Sequence, residues 1–118
     1  MKKRILLLAT GGTIASQPTE EGLAPGLDGA ALASLLPESV LARYEVTVRD
    51  ILRLDSSNIQ PEEWQLIARR VFEAREDYDG IVITHGTDTM AYTASILSFM
   101  VRGIPIPVVL TGAQLPIE

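Results

Sequence analysis

The stretch that most constrains the fold is Gly80 to Met90, GIVITHGTDTM. A short apolar run, a glycine and then Thr-Asp-Thr opening a long uncharged segment predict a strand, a tight turn and a helix start. Hydroxyls and one carboxylate fall at the turn. In an open α/β sheet such turns lie at the carboxyl ends of strands, where backbone N–H groups of the following helix favour an anionic or polarised ligand. A second turn of the same kind, ATGGTIA at Ala9 to Ala15, lies near the start of the chain. Two strand-to-loop turns that both present threonines point to one site built from both.

The remaining segments fit an alternation of strands and helices. Ile5 to Ala9 is continuously apolar, as a parallel strand buried on both faces requires, and Gly11-Gly12 ends it. From Ser16 to Gly29 the density of glycine and proline predicts a loop or small hairpin lid. Asp28 is placed to cap a short helix through Leu36, stopped by Pro37. Arg43 to Arg49 alternates, so that strand is half buried and belongs near a sheet edge.

Gln60-Pro61-Glu62-Glu63 supplies a capping position, a proline at the first helical residue and two acids at the positive end of the dipole. The helix that follows places Trp64, Ile67, Ala68, Val71 and Phe72 on one face. A further helix is expected from about Asp88 to Val101, closed by Arg102-Gly103, and a last strand from Ile106 to Leu110, followed by the polar turn Thr111 to Gln114. The implied class is α/β: a doubly wound, mainly parallel sheet with helices on both faces.

Composition narrows the partners. A chain of 118 residues with 47% hydrophobic residues is at most one domain. A net charge of −5, with no basic cluster after Lys2-Lys3-Arg4, argues against nucleic acid and anionic membrane and leaves a small-molecule substrate or protein contact. The absence of cysteine removes disulfides, thiolate catalysis and Cys-based zinc. The opening basic residues imitate a signal peptide, but the apolar run after them is shorter than the ~7–15 residues of such a region, so a cytoplasmic protein is expected. Thr89 to Val101 is short of the ~20 residues that span a bilayer. It is read as a core or interface helix, with Met90, Tyr92, Ile96, Phe99 and Met100 as packing residues and part of its surface available to a second subunit.

Among residues able to do chemistry, Thr13 follows two glycines that let the backbone turn sharply and present the next hydroxyl, as a nucleophile needs; a plain turn threonine has the same pattern. Neither GxGxxG nor a GK[ST] loop is met, so nucleotide binding is disfavoured. Thr87 and Asp88 begin a helix, and capping alone would explain them, yet Thr84, His85 and Thr89 make the turn more polar than capping requires. His85, the single histidine, has no GxSxG elbow to serve and is read as structural rather than as part of a triad. Ser56 and Ser57 after Asp55 could hold a carboxylate or simply form a serine turn before the next helix. No metal-ligand spacing is present, and a transition-metal site is not expected.

The motifs ATGGTIA (9 to 15), LDSSNI (54 to 59), ITHGTDTMAYTAS (83 to 95) and VVLTGAQLP (108 to 116) resemble, in order and spacing, the N-terminal domain of bacterial L-asparaginases of the homodimer-forming cytoplasmic type. The resemblance covers essentially the whole chain. It implies a flavodoxin-like three-layer domain and hydrolysis of L-asparagine to L-aspartate and ammonia without cofactor. It further implies that Thr13 is the nucleophile that forms a β-aspartyl enzyme. Thr87, with Asp88 beside it, would assist proton transfer and help to hold the oxyanion. Asp55, Ser56 and Ser57 would bind the α-carboxylate end of the substrate, and Asp88 its α-ammonium.

The sequence departs from the family pattern in three respects. No tyrosine lies between Thr13 and Arg43, Leu23 standing where the lid tyrosine would align. The family's catalytic lysine falls beyond TGAQLP, and so does its C-terminal domain. Residues 1–118 are therefore expected to be an incomplete N-terminal asparaginase domain, inactive or nearly so alone. Two alternatives are the amidase component of transfer-RNA amidotransferases, in which an additional N-terminal domain is expected, and an inactive α/β module that self-associates.

Overall fold

The computed structural model describes residues 2–11, 16–19, 22–25, 36–54 and 59–112. Its centre is a four-stranded sheet of β1 (Lys3–Gly11), β4 (Tyr44–Leu54), β5 (Gly80–Thr84) and β6 (Val108–Thr111), in the order β4-β1-β5-β6. Every pairing in it is parallel. Two shorter strands, β2 (Ser16–Thr19) and β3 (Gly22–Pro25), form an antiparallel hairpin, as the breaker-rich segment allows. The sheet order is that of a doubly wound α/β fold, with β1 flanked by the strands that follow it on opposite sides. The chain reverses its direction of winding there, which makes the carboxyl ends of β1 and β5 the switch point of the sheet.

Alternate residues of β1 serve the two faces of the sheet. Leu6 and Leu8 join Ile81 and Ile83 of β5 against Ile67, Ala68, Val71 and Ala74 of α2 (Pro61–Ala74) and Leu97 of α3 (Met90–Met100), all buried. Leu7 and Ala9 point the other way, against Val46 and Val48 of β4. On this second face α1 (Glu38–Arg43) brings Val40 to a groove shared with Ile5, Leu7, Val46 and Val82. Helices thus cover both faces, and β4 lies at an edge as its half-apolar alternation requires.

Several local expectations are corrected. Pro37 is not only a stop: at φ −61° and ψ 146° it is the N-cap of α1, which the sequence reading did not assign. The strand expected from Arg43 starts at Tyr44, because Arg43 ends α1, and it runs on to Leu54. The helix expected from about Asp88 begins at Met90. Phe72, read as core, is 52% exposed at the margin of the α2 stripe, with the Arg75 guanidinium stacked 3.7 Å from its ring centroid. Tyr92, Phe99 and Met100 of α3 are likewise exposed. A helix that is apolar nearly all round can turn only one stripe to a sheet, and here that stripe carries Thr93 and Leu97. The short helix expected from Asp28 lies outside the described residues, save Leu36, which is a bend.

Candidate active site at the strand ends

The ends of β1, β5 and β6 are pinned to one another by polar contacts. Thr10 Oγ1 donates to the Thr84 carbonyl at 2.6 Å, buried. The His85 N–H donates to the Thr111 carbonyl at 2.9 Å, carrying the β5–β6 pairing one residue beyond the strand. Gly112 then passes so close that a β-carbon on it would collide with the His85 carbonyl oxygen and lie 3.2 Å from Thr87 Cγ2. Glycine at 112 is therefore a packing requirement, and through it the third polar turn is set against the turn that bears Thr87.

Thr87 is half buried and Asp88 exposed, both on the bend between β5 and α3. The N-cap of α3 is Thr89, whose side chain makes no capping hydrogen bond. Thr87 and Asp88 therefore precede the cap position. Below the bend lies His85, 1% exposed. Its Nδ1 is 2.7 Å from the Gly86 carbonyl oxygen, and its Nε2 is 2.9 Å from Thr93 Oγ1. Thr93 Oγ1 also accepts the Trp64 indole N–H at 2.7 Å. Both ring nitrogens are thus engaged by neutral groups, as suits a buried imidazole. One polar atom remains an orphan among the described residues, the buried hydroxyl of Thr84.

Of the residues singled out in the sequence, Thr84, His85, Thr87, Asp88 and Thr111 share this rim. Thr13, Asp55, Ser56 and Ser57 lie outside the described residues. The strands that lead to them end together: Gly11 of β1 is registered with Leu54 of β4, after an irregularity between Ala9 and Gly11. The sequence reading missed Thr10 and Thr93 as members of the site. Thr93 carries a usable signal, a hydroxyl on the sheet-facing stripe of an apolar helix. Thr10 has none apart from its place before the two glycines.

A parallel sheet with buried threonines and a threonine-bearing turn at its switch point defines a doubly wound α/β domain with a candidate site at its strand ends. The family description "Asparaginase, N-terminal" matches residues 4–118, and the chain belongs to this family. It is 56% identical over 97% of its length to L-asparaginase of Thermococcus kodakarensis and 45% identical over 98% to L-asparaginase 1 of Escherichia coli K12, spanning 35% of each. It is also 43% identical over 96% of its length to a component of the glutamyl-tRNA(Gln) amidotransferase of Aeropyrum pernix, spanning 27% of that protein. The solved thermostable L-asparaginase from Thermococcus kodakarensis superposes with a TM-score of 0.84 at 55% identity, over 96% of this chain and 34% of that one. The chain thus spans about a third of the length of the L-asparaginases it matches.

Proposed function

We propose that the chain is the N-terminal part of an amidohydrolase that converts L-asparagine and water to L-aspartate and ammonia. The observation that carries the reading is the position of Thr87 and Asp88, which precede the α3 cap at the switch point of the sheet beside the buried Thr10, Thr84 and His85. Family membership supports the same reading.

In this reading the Thr13 hydroxyl attacks the side-chain amide carbon of asparagine. The tetrahedral oxyanion collapses with loss of ammonia to a β-aspartyl ester, and water then releases aspartate and regenerates the hydroxyl. Thr87 and Asp88 assist the proton transfers, and Asp88 pairs with the substrate ammonium. Asp55, Ser56 and Ser57 hold its α-carboxylate, so that the zwitterion is oriented from both ends. A threonine hydroxyl is a weak nucleophile at neutral pH and needs a base. No lysine lies beyond Lys3, and Leu23 stands where a lid tyrosine would align, so residues 1–118 supply neither the family's lysine nor its lid phenol as that base. Residues 1–118 are in this view an incomplete domain of a cytoplasmic homo-oligomer that uses no cofactor.

Ammonia release from L-asparagine by the purified chain, beside Thr13→Ala and Thr87→Ala, tests the reading. The chain alone is expected to be nearly silent, and activity is expected once a relative's downstream segment is supplied. Absence of activity in both forms would remove the proposal. The amidotransferase relative supports a second reading, in which the ammonia released is passed on to glutamyl-tRNA rather than to solvent. Efficient turnover of free asparagine with no partner protein and no glutamyl-tRNA present would exclude it.

A further inference from the structure

The partners of His85 constrain the hydrogen-bonding role of each ring nitrogen. A carbonyl oxygen only accepts hydrogen bonds, so the 2.7 Å contact to Gly86 places the ring proton on Nδ1. An indole nitrogen only donates, so Trp64 gives its hydrogen to Thr93 Oγ1. The Thr93 hydroxyl hydrogen is then directed to Nε2, which accepts it. Each group in the series Trp64, Thr93, His85 donates once to the next, and the series ends on the Gly86 carbonyl.

That last bond bears on the turn above. The chain contains no cis peptide among its described residues, so the carbonyl of Gly86 and the N–H of Thr87 point in opposite directions. Drawing the carbonyl toward the imidazole turns the Thr87 N–H away from it. The orientation of the peptide that introduces Thr87 and Asp88 is thereby tied to α2 through Trp64 and to α3 through Thr93.

We propose that His85 is a positioning residue, whose Nδ1–H fixes the Gly86–Thr87 peptide and with it the turn that carries Thr87 and Asp88. The kinetic consequence rests on the amidohydrolase reading; the geometric one does not. Two substitutions separate the ring nitrogens. His85→Asn places an amide N–H where Nδ1 stands, and His85→Gln reaches only as far as Nε2.

Nitrogen-15 NMR of the 118-residue chain is expected to show the ring proton on Nδ1, with Nε2 as the acceptor. The backbone amide signals of Gly86 to Asp88 should stay near their wild-type positions in His85→Asn and move in His85→Gln. In the extended, active form His85→Gln is expected to raise the KM for L-asparagine about tenfold, the scale of one lost hydrogen bond, with His85→Asn within about threefold of wild type. A purely structural role would lower the active fraction, and so the apparent kcat, without moving KM.

A ring protonated on Nε2, or Asn and Gln variants alike in both readouts, overturns the proposal. The tautomer measurement needs no variant and decides the geometry even if His85→Gln does not fold. If no form of the protein turns over asparagine, the amidohydrolase reading falls, while the tautomer and the amide signals still decide the role of His85.

Discussion

The two rims of the sheet are built from different contacts. At the amino rim, the Asp79 N–H donates to the Arg4 carbonyl at 2.7 Å and Asp79 Oδ2 accepts the Arg4 N–H at 2.8 Å, in an exposed pair. Lys2 Nζ donates to the Leu41 carbonyl, also exposed, and the Arg4 guanidinium lies 5.7 Å from the Tyr78 ring centroid. At the carboxyl rim Thr10, Thr84, His85 and Thr93 are buried, and of their side-chain polar atoms only the Thr84 hydroxyl lacks a partner among the described residues. Water can replace a lost partner at the first rim and cannot at the second. The amino rim is therefore tolerant, whereas the carboxyl rim is fixed in shape, as a site that orients a ligand requires.

The sharpest way to break this contrast is Gly112→Ala. The new β-carbon meets the His85 carbonyl, a backbone atom that cannot swing aside, and a loss of about 2–3 kcal/mol is expected in urea denaturation. Thr93→Val removes the hydroxyl between Trp64 and His85 and leaves the buried His85 Nε2 and the part-buried Trp64 indole without that partner, a loss of about 1–3 kcal/mol. Since Trp64 is the only tryptophan, its fluorescence should shift with the same substitution.

Thr84→Val has the opposite sign. It deletes the orphan hydroxyl for a methyl of similar shape, and a gain of about 1 kcal/mol is expected by thermal melting; destabilisation would reveal a partner for that hydroxyl. At the amino rim Asp79→Ala should cost about 0.5–1 kcal/mol in urea denaturation. Gly80→Ala is the mildest. Its β-carbon would meet the terminal methyl of Ile5 at 3.3 Å, a flexible neighbour, so the net change should stay within about 0.5 kcal/mol. A loss comparable to that of Gly112→Ala would erase the distinction between the rims.

Much of the architecture is legible residue by residue. The continuous apolar runs of β1 and β5 require burial on both faces, the alternation of β4 places it at an edge, and Pro61 with its two acids marks the start of α2. The Thr-Asp-Thr turn could be located as the focus of a site because strand, turn and helix start follow one another locally. Helix α1 was not legible, since six residues after a proline carry too little periodicity. Phe72 was misplaced because hydrophobicity says which residues gain from burial and not whether a partner is available. The hydroxyls of Thr10 and Thr93 were passed over because their partners, Thr84 and His85, stand on other strands and turns.

What the sequence determined by itself is therefore whatever depends on near neighbours along the chain: the strand and helix periods, the turn chemistry, and the motif spacing that identifies the family. Tertiary structure alone decided that Gly112 must lack a side chain, that the imidazole of His85 is spent on Gly86 and Thr93, and that β1, β5 and β6 end at one rim. Most of these contacts join residues far apart in sequence. A hydroxyl or a glycine carries no mark of such a partner until the sheet has formed and brought the two within hydrogen-bonding or van der Waals distance.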